Sequence, residues 1–177
     1  DSDDLERVRH VTRDRLGRLW IATRDAGVAL FDVRSGDLRR LRHSPNDARG
    51  LSDNSTYTIL PLRNGDILVG TALGLDRIPA GQFEATRVAL PSELLSNGQP
   101  PRVRALAESP DGTLWVGTDA GLGRYDARGD RWRVYQSTGS PASTLPDNRI
   151  QALLIDSQGR LWVGLLRGLS WFDVMRR

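Results

Sequence analysis

The chain has 177 residues, 38% hydrophobic and 27% charged, the balance of a soluble globular protein long enough to bury a core. No apolar run approaches the roughly 20 residues of a membrane-spanning helix, and the lack of cysteine removes disulfides and thiolate metal sites. Net charge is +3 and every basic residue is arginine, so the positive groups stay protonated at any physiological pH.

From the N-terminus, DSDDLERVRH lacks the basic start and apolar core of a signal peptide. Residues 8–13 alternate as an inner strand and lead into DRLGRLWIATRDAGVALFD. That pattern returns as RNGDILVGTALGLDRIP, SPDGTLWVGTDAGLGRYD and DSQGRLWVGLLRGLSWFD. Its first turn glycine falls at Gly17, Gly65, Gly112 and Gly159, at spacings of 48, 47 and 47 residues. Three residues later stands Trp20, Leu68, Trp115 or Trp162, and a second glycine follows at Gly27, Gly74, Gly121 or Gly168. The first copy has one extra residue before Gly27. A period in the 40s with several short strands per copy predicts an all-β fold of β-propeller blades, one per repeat.

The third copy shows the expected blade. An inner strand at 102–109 turns Val103, Ala105 and Ala107 to one face, and Pro110, Asp111 and Gly112 make a hairpin turn whose glycine takes positive φ. Strands follow at 113–118, 122–126 and 131–136. The tryptophan at fixed phase is expected to fill the space between neighbouring blades. The segments 43–58, 90–103 and 136–151 are rich in Ser, Pro, Asn, Asp and Gly and are expected to be loops, with SELL after Pro91 forming one helical turn.

The blades fall at about 8–42, 56–90, 102–136 and 149–177. In the fourth, the third strand is expected at 171–174 and no outer strand follows. Residues 1–7 are too short to supply one, so fifteen antiparallel strands are expected, in four four-stranded units of which the last is incomplete. Such an arc is part of a larger propeller with two raw edges, and its expected partners are the remaining blades of the same protein or a second copy.

Arginine alternates with apolar residues in RVRAL (102–106) and RWRVY (131–135), which predicts solvated strand faces rather than a nucleic-acid surface. No catalytic residue, cofactor or metal site is expected. HExxH, paired glutamates, a calcium loop and a strand–GxGxxG–helix unit are all missing. SPDGTLW approaches a sialidase Asp-box but lacks the residue between Asp111 and Gly112, and the two histidines are His10 in a strand and His43 in a linker. Ligand contacts are expected on the edge shared by the loops between second and third strands and the segments leading into inner strands. The candidates are Arg24, Asp25, Asn54, Arg102, Asp119, Asn148, Arg149 and Arg167. Arginines there suit acidic or hydroxyl-rich ligands. Asn54 and Asn148 are better explained as fixing the strand lead-in by side-chain to backbone hydrogen bonds.

The segment LPDNRIQALLID, with Asn148, precedes the fourth copy. Together with Trp115-Val116-Gly117-Thr118, Gly121-Leu122, Tyr125-Asp126, Trp162-Val163-Gly164 and Phe172-Asp173 it resembles the two-component regulator propeller repeat. The resemblance runs along essentially the whole chain. The second copy departs most, with Leu68 and Ile78-Pro79, and is expected to be a distorted blade. The resemblance implies a non-catalytic, periplasmic sensor fragment that binds a glycan or other small polar ligand. In that family the propellers precede a further β domain, a membrane helix and a cytoplasmic histidine kinase or diguanylate cyclase. The competing readings are a structural or dimerisation scaffold without a ligand and, more remotely, a propeller enzyme of lyase or glycosidase type.

Overall fold

The computed structural model describes residues 7–139 and 145–174. Among the described residues fifteen strands form four antiparallel sheets, and a 3₁₀ turn at Ser92–Leu94 follows Pro91 as expected. The chain divides into two compact units, residues 1–89 and 90–177.

The first unit holds two four-stranded sheets in sequential order. One is β1 (Val8–Arg13), β2 (Leu19–Thr23), β3 (Val28–Phe31) and β4 (Leu38–Leu41); the other is β5 (Thr56–Pro61), β6 (Ile67–Thr71), β7 (Gly74–Ile78) and β8 (Thr86–Val88). The second unit holds β9 (Val103–Glu108), β10 (Leu114–Thr118), β11 (Leu122–Asp126) and β12 (Arg131–Tyr135). Its other sheet has three strands, β13 (Ile150–Ile155), β14 (Arg160–Leu165) and β15 (Leu169–Asp173). β15 begins two residues before the expected 171, because Leu169 already pairs with Gly164 directly after the Gly168 hook.

All eight turn and hook glycines have positive φ, and two of the hooks are also sharply crowded by backbone. A Cβ at Gly27 would lie 2.3 Å from the Leu41 carbonyl oxygen, and one at Gly121 2.8 Å from that of Tyr135. At Gly17 and Gly112 it would meet nothing within 4 Å.

Every inner strand is bulged at the same place, so Arg9, Tyr57, Arg104 and Gln151 fall between paired residues. A bulge re-aims the extra side chain. It corrects the expectation of a solvated arginine face in 102–106, since Arg104 is half-buried and its Nε is shielded from water. In the first unit the guanidinium of Arg9 stacks 4.2 Å from the Tyr57 ring centroid.

At two of its three positions, Trp20 and Trp115, the aromatic at fixed phase lies between sheets of one unit, whereas Trp162 is half-buried. Trp20, 1% exposed, packs with Ile59, Ile67, Val69 and Ile78 of the following sheet. Trp115, 3% exposed, packs with Leu161 and Val163, and its ring lies 6.2 Å from that of Phe172. The indole N–H at this repeat position donates to the side chain six residues earlier: Trp20 to Asp14 (3.0 Å), Trp115 to Ser109 (2.7 Å), Trp162 to Asp156 (2.8 Å). In the second copy both partners change together, to Leu68 and Leu62.

The second copy is therefore not distorted. β5–β8 keep the same register as the other sheets. Its carboxylate has moved to Asp66, which accepts hydrogen bonds from Ala80 N, Asn64 Nδ2 and Arg77 Nε.

Candidate functional site

The loop edge expected to carry ligand contacts is built by one device repeated in every blade. The backbone N–H of the loop between second and third strands donates to the carbonyl seventeen residues earlier in the lead-in segment. The pairs are Arg24 to Arg7 (2.9 Å), Ala72 to Ser55 (2.9 Å), Asp119 to Arg102 (3.2 Å) and Leu166 to Arg149 (2.9 Å). A threonine closes the loop from within. Thr23, Thr71 and Thr118 each donate a hydroxyl to the hook-glycine carbonyl and accept a loop N–H. Leu165 replaces it in the fourth blade, where the backbone bond to Gly168 remains. Sequence reasoning missed this role, although the threonine recurs three times before the hook.

In the first unit, Asp25 pairs with Arg7 at 2.9 Å on an exposed surface, and Arg24 is exposed beside it. Asn54 accepts the His43 N–H at 2.8 Å, while its carbonyl accepts the Gly27 N–H at 2.9 Å. In the second unit, Asn148 accepts the Ser137 N–H eleven residues back, as Asn54 does. Asp119 receives the Arg102 N–H at 3.1 Å and leaves the Arg102 side chain exposed. Arg149 is held by Asp147 through its backbone N–H, Nε and Nη2. These bonds and the charges of Arg149 and Arg167 hold the Asp147 carboxyl at about 2. The structure thus gathers Asn148, Arg149 and Arg167 around one blade edge, and Arg102 with Asp119 on another.

A concave site in the second unit was not expected. A cavity of about 630 Å³ opens where β11 and β12 meet Val174, lined by Arg124, Arg128, Arg131 and Arg133 with Thr113, Asp111 and Asp126. Arg124 and Arg133 are register partners across the strands. The Arg124 guanidinium lies 5.6 Å from the Trp115 ring centroid, and its Nε is buried without a hydrogen-bond partner among the described residues. Burial pushes the Asp111 carboxyl up, but the N–H and hydroxyl of Thr113 and the charge of Arg124 bring it below the usual range. Four arginines face two aspartates, so the surface is net cationic. In the first unit the matching register pair is Leu30 and Arg39, and Phe83 packs there, 4.1 Å from the Arg39 guanidinium and 6.0 Å from Trp20. The signal for the cavity was the alternation in RWRVY, read as solvated; Arg131 and Arg133 are exposed, but they line a concavity.

Both histidines are engaged by backbone. His10 Nδ1 accepts the Ile59 N–H at 3.1 Å, and His43 Nδ1 lies 2.8 Å from the Leu51 carbonyl. The fully buried Asp76 is enclosed by Ser52 and Arg87. Among the described residues no group of three or more potential metal ligands occurs, and no helix is long and apolar enough to cross a membrane.

The two component regulator propeller family model matches residues 97–120 and 144–166, the inner two strands and lead-ins of the third and fourth repeats. No curated protein matches the chain. Among solved structures, it is similar to the extracellular domain assigned to a hybrid two-component system of B. thetaiotaomicron. There the TM-score is 0.76 at 21% identity, over 94% of this chain and 22% of that one. It is also similar to an ancestral GH74 enzyme (TM-score 0.71, 14% identity, 94% and 23% covered). A third likeness is to virginiamycin B lyase of Staphylococcus aureus (TM-score 0.65, 12% identity, 99% and 58% covered). At these identities the likeness shows the fold, the all-β blades of a propeller, which hosts sensors and enzymes alike. The chain spans less than a quarter of the two-component domain it matches, and the sequence match is to a repeat of signalling propellers.

Proposed function

We propose that this chain is a non-catalytic, ligand-sensing part of a periplasmic signalling propeller, and that it takes a small acidic, hydroxyl-bearing ligand such as a uronic acid. The observation carrying this reading is the cationic cavity of residues 90–177. Arg124 lines it, with the guanidinium 5.6 Å from the Trp115 ring centroid, which holds a positive charge at the cavity wall. Arg128, Arg131 and Arg133 add donors at the rim and Thr113 a hydroxyl. Guanidinium groups match carboxylates in geometry as well as charge. Binding rather than catalysis is supported by the engagement of both histidines in backbone contacts and by the closure of Asp76 from solvent. A second reading places the ligand on the loop edge of the second unit, where Arg102 and Arg167 are exposed on loops tied by backbone hydrogen bonds.

Calorimetric titration of the chain with glucuronate and with glucose tests both. The cavity reading expects glucuronate to bind, glucose not to, and Arg124→Gln with Arg133→Gln to weaken binding at least tenfold. Loss of binding only in the combined alanine variant at Arg102, Arg149 and Arg167 would transfer the site to the loop edge of the second unit. Binding of neither sugar would leave the scaffold reading.

A further inference from the structure

The chain has five asparagines, at 46, 54, 64, 97 and 148, and two of them precede glycine, in Asn64-Gly65 and Asn97-Gly98. That dipeptide is chemically fragile, because glycine has no side chain to keep its backbone nitrogen away from the asparagine carboxamide. Attack by that nitrogen needs an N–H free to lose its proton and a carboxamide free to swing over it. At four of the five positions the following N–H is tied. Asp47 donates to the Ser44 carbonyl (3.2 Å), Gly65 to that of Leu62 (3.0 Å), Ser55 to the Asp53 carboxylate (2.6 Å) and Arg149 to the Asp147 carboxylate (2.9 Å). The Asn64 side chain is held as well: its Oδ1 accepts the Asp66 N–H at 3.0 Å and its Nδ2 donates to the Asp66 carboxylate at 2.8 Å.

Asn97 has neither restraint. It stands at the tip of a two-residue hairpin closed by Ser96 and Gln99, which exchange backbone bonds of 3.0 and 2.9 Å. Asn97 and Gly98 take φ of 50° and 75°, the positive pair such a turn requires, and both are exposed. Among the described residues neither the Gly98 N–H nor the Asn97 carboxamide has a hydrogen-bond partner.

We infer that Asn97 is a site of spontaneous deamidation in the folded protein. The Gly98 nitrogen attacks Cγ of Asn97, the Cγ–Nδ2 bond breaks, and the displaced amide proton leaves with Nδ2 as ammonia. Water adds to either carbonyl of the resulting succinimide and reopens the ring. Opening at the side-chain carbonyl leaves aspartate, which the turn accepts because Asp-Gly suits the same positive φ pair. Opening at the main-chain carbonyl leaves isoaspartate, whose backbone is one carbon longer and breaks the pairing of Ser96 with Gln99. Either product places a new carboxylate in the lead-in of β9, which ends at Arg102, where backbone N–H and carbonyl are both bonded to Asp119. Only the two exposed bonds of the hairpin resist the excursion that ring closure demands.

Peptide mapping of the folded chain, aged at mildly alkaline pH, tests this. Trypsin, cutting after arginine, puts the two Asn-Gly sites on separate peptides, 88–102 and 64–77. Peptide 88–102 is expected to gain the mass of oxygen exchanged for NH and to become a substrate for isoaspartyl methyltransferase. Peptide 64–77 is expected to convert at least about tenfold more slowly. In denaturing urea the two are expected to convert at similar rates, since the dipeptide is the same. Asn97→Gln, which would need a larger ring, is expected to remove the fast event with an unchanged near-ultraviolet circular dichroism spectrum. Equal rates at the two sites in the folded chain overturn the inference. So does a peptide 88–102 that stays intact in the folded chain while converting in urea.

Discussion

The three indoles occupy one repeat position but not one environment, and removing them separately tests the interface assignment. Trp20 and Trp115 lie within closed clusters, whereas Trp162 is only half-buried. Alanine at 20 or 115 removes a filled volume between sheets and is expected to cost about 3–5 kcal/mol; at 162 it should cost under about 2 kcal/mol. Phenylalanine separates the polar contribution, because it keeps most of the ring and loses only the N–H. The acceptor is the Asp14 carboxylate for Trp20 and the Ser109 hydroxyl for Trp115. Bonds to charged groups are worth about 1.5–3 kcal/mol and neutral ones about 0.5–1.5, so Trp20→Phe should cost more than Trp115→Phe. Urea unfolding followed by circular dichroism measures this as a shift in midpoint at constant slope. If the two units unfold separately, each variant moves only its own transition. Equal losses for Trp162→Ala and Trp115→Ala, or for the two phenylalanine variants, would refute the reasoning.

Gly121→Ala should destabilise by about 2 kcal/mol or more, since positive φ and the Tyr135 carbonyl at 2.8 Å act together, while Gly112→Ala, in open space, should lose about 1 kcal/mol; equal thermal shifts would contradict this. Thr118→Val should loosen the loop between β10 and β11, read as faster amide exchange at Asp119 and Ala120 with little change in global stability. Burial raises the Asp14 carboxyl, but the bonds from Trp20 and Arg18 outweigh it and hold it below 3.8; Asp66 is lowered likewise by Ala80, Asn64 and Arg77. Their stabilisation is present above about pH 4 and lost as pH falls through the lowered values, so Asp14→Asn should flatten the acid limb of a melting curve against pH. Burial lowers His10, so its contribution is present above pH 6.5 and fades below it; proton titration by nuclear magnetic resonance that finds His10 above 6.5 would reject that assignment.

Strand positions are legible in the sequence because the first turn glycine, the indole and the hook glycine each fix a local backbone state. The register positions they imply recur in all four sheets. The 3₁₀ turn is legible for the same reason, as Pro91 sets its first φ. What escapes is whatever depends on a neighbouring sheet. A period-two reading of 102–106 places Arg104 outward because a bulge leaves no mark in side-chain alternation. RWRVY does point its arginines away from the core, but whether that space is open water or a cavity is decided by Val174, which follows β15. Asn54 and Asn148 are legible as residues that fix backbone through their side chains, but not their partners, the N–H groups of His43 and Ser137 eleven residues earlier.

The second repeat shows which feature a blade of this kind cannot lose. A sequence comparison centred on the indole makes Leu68 a defect, yet the sheet around it is regular. Had only the tryptophan gone, an aspartate or serine six residues earlier would have lost its buried donor, at about 1–3 kcal/mol. Leu62 removes the acceptor along with the donor, and two apolar groups then need no partner at all. The carboxylate reappears at Asp66, beside the turn rather than at its start, and binds Ala80 N and Arg77 instead of an indole. The invariant of the repeat is thus a satisfied pair rather than a residue, and the pair can be polar or apolar so long as both members agree.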